Sequence, residues 1–163
     1  EPGHAALAQP GATFVTLHDA AGKLRGCIGR LQPETTLDAD VRHAAAGAAF
    51  RDPRFAPLSA AEWPGLQVEV SLIGDSEPLP AAATAEAAAA LLRPGIDGVI
   101  LDSSGRRATF LPQVWEQLPQ PGDFLAALQR KAGLPPPWDP ATRLTRYAVR
   151  KFTAACAAAE AVR

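Results

Sequence analysis

Strict alternation opens the readable part of the chain. TFVTLHD (13–19) is rich in β-branched and aromatic residues at a period of two, which predicts a strand. KLRGCIG (23–29) repeats that character after the short DAAG segment, so the two runs predict a hairpin. LQVEVSLIG (66–74) alternates most cleanly: Leu66, Val68, Val70 and Leu72 share one face, and Gln67, Glu69 and Ser71 share the other. GVILDSSGRRATFLP predicts a second hairpin turning at SSG, and RLTRYAVRKFTAA a closing strand. Helical spacing appears in TTLDADVRHAAAGAAF, where Thr35 or Thr36 can cap and Asp38 and Asp40 suit the first turns. It recurs in AAATAEAAAALL with Thr84 as a cap, in QVWEQL, and in GDFLAALQRKAGL, stopped by Gly133 and three prolines. SAAEW predicts a short turn, and residues 1–12 read as a loose lead-in. Strands arriving mainly as hairpins predict an α+β fold, a mainly antiparallel sheet flanked by helices.

Composition narrows the partners. The 163 residues suffice for one domain with a real core. Sixteen basic side chains against 17 acidic ones give a net charge of −1, so no global excess favours nucleic acid or an anionic membrane. Alanine supplies much of the 47 % apolar content, which leaves Leu, Val, Ile, Phe and Trp to fill the core. No apolar run is long enough to span a membrane, the AACAAAEAVR tail included, and no secretory leader pattern opens the chain. The absence of Met predicts that the natural start lies upstream. Two cysteines, Cys27 and Cys156, stand far apart; a reduced setting is expected and no disulfide is indicated.

Candidate chemistry centres on LRGCIG. A hairpin turning at Asp19–Gly22 would set His18 against Lys23, Thr16 against Arg25 and Phe14 against Cys27. Val15, Leu17, Leu24, Gly26 and Ile28 would then form the core face, with Thr16, His18, Arg25 and Cys27 on the polar one. Strand parity keeps Arg25 beside Cys27, where a guanidinium would favour thiolate and make the sulfur nucleophilic. Gly26 and Gly29 would let a ligand or another segment approach the backbone. Glu69 and Ser71 join the same cleft if their strand neighbours the hairpin. RDPRF offers Arg51 and Arg54, with Asp52, as a clamp for a phosphate or carboxylate. Thr109, Gln113 and Trp115 would add hydrogen bonds and an aromatic wall. Each residue also has a structural role open to it: Cys27 as a small buried residue, the RDPRF charges as a loop-pinning network, Glu69 as a paired strand residue, Trp115 as core, His18 and His43 as surface. Metal-ligand spacings, a phosphate-binding loop and a serine nucleophile elbow are all missing from the sequence. Arg143, Arg146, Arg150 and Lys151 make the last strand basic, but alternation spreads them over both faces, so nucleic-acid binding is not expected.

Six blocks in order, LRGCIG (24–29), RDPRF (51–55), EVSLI (69–73), ATFLPQVWEQLP (108–119), FLAALQRKAGL (124–134) and WDP…RY…F (138–152), resemble the AMMECR domain family, also called AmmeMemoRadiSam system protein A. The resemblance runs from residue 13 to residue 152. It implies an α+β domain over residues 13–163, made of a larger antiparallel sheet with helices and a smaller subdomain beside it. It also implies a cytoplasmic protein, and association with Memo-like and radical SAM proteins. It supplies no reaction and no cofactor. Family members carry a helix before the first strand, where this chain has only EPGHAALAQP. Two functions remain open. One is an enzyme or enzyme component with Cys27 as nucleophile or redox group, Arg25 as activator, Glu69 as acid or base, and Arg51, Asp52, Arg54, Ser71, Thr109 and Gln113 around a small anionic ligand. The other is a non-catalytic binding or accessory module for the associated proteins.

Overall fold

The computed structural model describes residues 3–156. It is α+β, with a mainly antiparallel sheet flanked by helices. The chain divides into two compact units: one comprises the described residues up to Ile73 and from Arg150 onward, the other Gly74–Val149.

Unit 1 begins with helix α1 (Gly3–Leu7) and strand β1 (Pro10–Gly11). Residues 3–12 of the expected loose lead-in thus carry a short helix and a short strand. Its anchors are specific: Leu37 N–H bonds to the Gln9 carbonyl at 2.8 Å, and Ala12 is buried. Strand β1 pairs with β4 (Thr35–Thr36), after the hairpin of β2 (Thr13–His18) and β3 (Leu24–Gly29). Helix α2 (Leu37–Phe50) follows, with Thr36 at its N-cap position making no side-chain cap bond. The Thr35–Thr36 pair spends its backbone on β4 instead. Asp40 inside α2 is 1 % exposed and accepts both the backbone N–H and the hydroxyl of Thr13, at 2.8 and 2.7 Å. Arg30 Nε neutralises its other oxygen at 3.0 Å, so this buried carboxylate is fully engaged. Strand β5 (Gln67–Pro78) runs out of unit 1 into unit 2.

Within unit 1 the sheet turns Val15, Leu17, Ile28, Val68 and Val70 toward Ala44, Ala45 and Ala48 of α2. Small residues let the helix approach closely. A Cβ on Gly26 would run into the Ala48 carbonyl, and one on Gly47 would meet Ile28 Cγ2 at 2.8 Å. Gly26 of LRGCIG therefore serves helix–sheet packing.

Unit 2 contains α3 (Ala85–Ala90), the hairpin β6 (Gly98–Ser103) and β7 (Arg106–Phe110), α4 (Pro121–Lys131) and the first part of β8 (Arg143–Ala155). The hairpin turns on Ser104 and Gly105, both at positive φ (52° and 74°), as a two-residue loop of matching twist requires. Thr84 caps α3 by accepting Ala87 N–H at 3.2 Å, as its position before the alanine run predicts. Trp115 is core: it stacks on Phe124 with centroids 3.7 Å apart, and its indole N–H donates to the Asp97 carbonyl at 2.8 Å. Residues 157–163, most of the tail read above as too short to span, lie outside the described residues. No helix among the described residues is long and apolar enough to cross a membrane.

Candidate functional site

The hairpin forms, but its main ladder lies two residues away from the sequence reading. Thr16 pairs with Cys27, Leu17 with Gly26 and Phe14 with Gly29, and a bulge follows: His18 pairs with Leu24, skipping Arg25. The turn and the bulge each account for one residue of the shift. Asp19 Oδ1 accepts the N–H groups of Ala21 and Lys23, both at 2.9 Å, and Asp19 N–H bonds to the Lys23 carbonyl. That closes the loop tightly on Gly22, at φ 80°, and leaves one residue of β3 unmatched. Leu24, placed on the core face by simple alternation, is 41 % exposed for the same reason.

Strand β5 lies on the other side of β2, with Glu69 opposite Thr16 and Ser71 opposite Phe14. Cys27, Thr16 and Glu69 thus form one row across three strands, on the sheet face turned from α2. Two strand spacings put the ends of this row roughly 10 Å apart. Glu69 does not reach the sulfur; Thr16 does. Its hydroxyl, on a residue 1 % exposed, donates to Cys27 Sγ at 3.4 Å. Glu69 is instead paired with Lys151 at 3.6 Å. One step along β5, Ser71 is fully buried and its hydroxyl has no hydrogen-bond partner.

The loop after α2 supplies the charges. Asp52, 4 % exposed, accepts the Cys27 backbone N–H at 2.9 Å. It also takes the Arg54 fork, Nε on Oδ1 at 3.0 Å and Nη2 on Oδ2 at 2.7 Å. The Arg54 hydrogen bonds first, and the two backbone N–H groups after them, hold the Asp52 carboxyl far below the usual range against the opposing cost of burial. Arg54 is raised chiefly by Asp52, with a smaller electrostatic contribution from Cys27. Arg54 Nη2 and the Cys27 N–H meet the same Asp52 oxygen, so this guanidinium lies beside the cysteine.

Arg25 is committed elsewhere. It bonds to Glu62 at 2.6 Å and to the Ala56 carbonyl at 2.9 Å. Glu62 in turn accepts the backbone N–H and hydroxyl of Ser59. These bonds, led by Arg25, lower the Glu62 carboxyl to about 2. Arg25 and Arg54 both lie over the Phe55 ring, at 5.8 and 5.5 Å from its centroid. Arg51 turns back to the His43 carbonyl of α2 at 3.1 Å, so Arg51 and Arg54 do not converge as a clamp.

Thr109 and Gln113 belong to unit 2. Thr109 bonds to the Val99 carbonyl and shares a 2.8 Å contact with the Tyr147 hydroxyl; Gln113 Oε1 is buried without a partner. Sequence reasoning overlooked Thr16 as the residue touching sulfur and Glu62 as the partner of Arg25. Thr16 alternates onto the correct face, but its register waits on the bulge, and Glu62 is 37 residues from Arg25. Both cysteines are free thiols. Cys156 packs with the α2-side core while Cys27 faces the opposite side, which explains the missing bridge. Among the described residues, no group of three or more His, Cys, Asp and Glu could hold a metal ion.

The site is thus an edge-strand cysteine of an antiparallel sheet, its backbone tied to a buried aspartate that a half-exposed arginine grips. The AMMECR1 family model matches residues 1–152. The chain belongs to the AMMECR1 family. Relatives include a protein of Methanothermobacter thermautotrophicus, 39 % identical over 146 residues, covering 85 % of this chain and 73 % of that one. A protein of Aeropyrum pernix is 40 % identical over 137 residues, covering 79 % and 57 %. The crystal structure of uncharacterized protein PH0010 from Pyrococcus horikoshii superposes with a TM-score of 0.82 at 31 % identity, covering 91 % of this chain and 76 % of that one. The family match begins at residue 1, consistent with the structured α1–β1 segment.

Proposed function

We propose that unit 1 carries a cysteine-dependent site in which the Cys27 thiolate attacks a small anionic electrophile. The observation that supports this reading best is the sulfur's own environment. A buried hydroxyl donates to Sγ, and a half-exposed guanidinium lies in electrostatic reach of it. A hydroxyl donor favours the negative form of sulfur, as does a cation. Asp52 taken alone would oppose a thiolate, and Arg54 offsets that charge through two direct hydrogen bonds. The activating role given to Arg25 in the sequence thus passes to Arg54 and Thr16. Arg54 also keeps a face toward solvent, being 56 % exposed, from which it can meet an incoming anion.

In this reading the thiolate forms a bond to an electrophilic carbon, and the leaving group departs with the electron pair of the broken bond. Thr16 holds the sulfur. The Glu69–Lys151 pair lies one strand further along the row, so it meets the far end of a substrate lying across the sheet rather than the thiol proton. The unpartnered Ser71 hydroxyl stands at the next position on the same face.

Iodoacetate and iodoacetamide test this together, in a Cys156→Ser background. The ratio of iodoacetate to iodoacetamide labelling rates is expected to rise at least threefold in the folded protein over the same chain in urea. An unchanged ratio would contradict the anionic preference, and slower folded-state labelling by both reagents would contradict the nucleophile.

A second reading rests on the charge pairing. Arg25 and Arg54 are both already bound to carboxylates, which favours a non-catalytic accessory module over one that turns over an anion; by family resemblance it would be cytoplasmic and bind Memo-like or radical SAM partners. In that case Cys27→Ser retains partner binding and Arg54→Ala loses it, as read by co-purification with those proteins.

A further inference from the structure

A concavity lies wholly within unit 2. It is lined by Ser103, Ser104, Gln129, the Leu134–Pro137 run, Asp139 and Thr142, and has a volume of about 250 Å³. That is roughly eight water volumes, room for a small molecule or for one long side chain. We propose that this pocket binds an alkylammonium group, carried by a free amine or by a lysine side chain.

Charge selects the ligand. The lining holds one formal charge, the Asp139 carboxylate, and no Lys, Arg or His. Among the described residues Asp139 makes no ion pair. Its Oδ1 is spent on the Ala141 N–H at 2.8 Å, which closes the turn after Trp138. Its Oδ2 meets only the Ser103 hydroxyl, at 3.5 Å, the outer limit of a hydrogen bond. That oxygen has acceptor capacity left over. The Ser103 and Thr142 hydroxyls can accept as well, and both residues are buried, each 5 % exposed. Asp139 itself is exposed, and its carboxylate flanked by two buried hydroxyls is complementary to a three-donor ammonium.

Shape is fixed by the frame around it. Gln129 donates to the Pro135 carbonyl at 3.1 Å and ties the proline run to α4. The Trp138 indole donates to the Ala82 carbonyl at 3.0 Å and holds the residue before Asp139. The Thr142 N–H bonds back to the Asp139 carbonyl at 2.9 Å. Leu134 and the three prolines make an apolar wall with little conformational freedom to lose on binding, suited to the methylene stem behind an ammonium.

The test is a titration of amide chemical shifts in the full chain with n-butylammonium chloride, n-butanol and sodium butyrate as probes. Saturable shifts at Ser103, Ser104, Asp139 and Thr142 with butylammonium alone are the expected result. Asp139→Asn, which keeps an oxygen for the Ala141 N–H, is expected to weaken that binding at least tenfold. Equal responses to butanol or butyrate, or an undiminished response in Asp139→Asn, would overturn the proposal. A blocked glycyl-lysyl-glycine peptide separates the two sources. Tighter binding of the peptide than of butylammonium assigns the pocket to lysine side chains; the reverse order assigns it to free amines. Failure of both to bind overturns the assignment, and leaves the Cys27 site untouched.

Discussion

The buried carboxylate of Asp52 accepts the backbone N–H of Cys27 at 2.9 Å while gripping Arg54 with both oxygens. One acid thus fixes the cysteine's main chain and places a cation near its sulfur. Asp52→Asn keeps the shape and removes the charge. With Arg54 half exposed, the ion pair itself counts for little, and the loss comes mainly from weakened hydrogen bonds to a buried group, about 1–3 kcal/mol. The sign with pH is definite. Because the folded carboxyl lies far below its ordinary value, its contribution is complete above about pH 5 and shrinks as pH falls and the unfolded chain takes up the proton. Urea unfolding of both proteins is expected to show a larger stability gap at pH 6 than at pH 3. Glu62 titrates in the same direction in both, so it cancels in the comparison.

Gly26 tests the reading of LRGCIG as a packing motif. The Ala48 carbonyl occupies the space of its missing Cβ, and backbone cannot step aside as a flexible side chain can. Gly26→Ala is expected to cost about 1–3 kcal/mol, the usual range for overpacking, or more if α2 must move. Gly47→Ala, which meets the Ile28 side chain instead, is expected to cost less. Thermal melts of the two variants check the order; equal losses would argue against the backbone contact.

Tyr147 is the chain's one tyrosine, so its ionisation can be followed directly by absorbance. It is 2 % exposed, and burial pushes its hydroxyl up to about 12, against a smaller opposing effect of the Thr109 hydrogen bond. The hydroxyl also donates to the Phe110 carbonyl at 3.1 Å. Stability from the neutral phenol is complete below pH 10, the unfolded value, and declines as pH rises toward 12. The absorbance midpoint is expected near 12, shifting to about 10 in urea. A folded-state midpoint near 10 would contradict the buried placement.

The sequence was most legible where local pattern decides structure. The faces of β5, the SSG turn, the Thr84 cap and both hairpins follow from alternation, turn chemistry and capping within a few residues of each other. It was least legible where a single residue changes register. A turn one residue longer than expected and the bulge skipping Arg25 together moved Thr16 from opposite Arg25 to opposite Cys27, and so replaced the residue that touches the sulfur. Arg25 illustrates a second limit. Its partner Glu62 is set by how the loop after α2 folds back, which no periodicity encodes. The short α1 was hidden because five residues carry no helical period, and tertiary bonds such as Leu37 N–H to Gln9 hold that segment.

The central claim is that Thr16 and Arg54, and not Arg25, make Cys27 reactive. Its most direct test is the rate of iodoacetamide labelling at pH 7, followed by mass spectrometry in a Cys156→Ser background. Thr16→Val and Arg54→Ala are expected to slow labelling of Cys27 at least threefold. Arg25→Gln, which can still donate to the Ala56 carbonyl, is expected to leave it within twofold. Slowing by Arg25→Gln with no effect of Thr16→Val and Arg54→Ala would contradict the account.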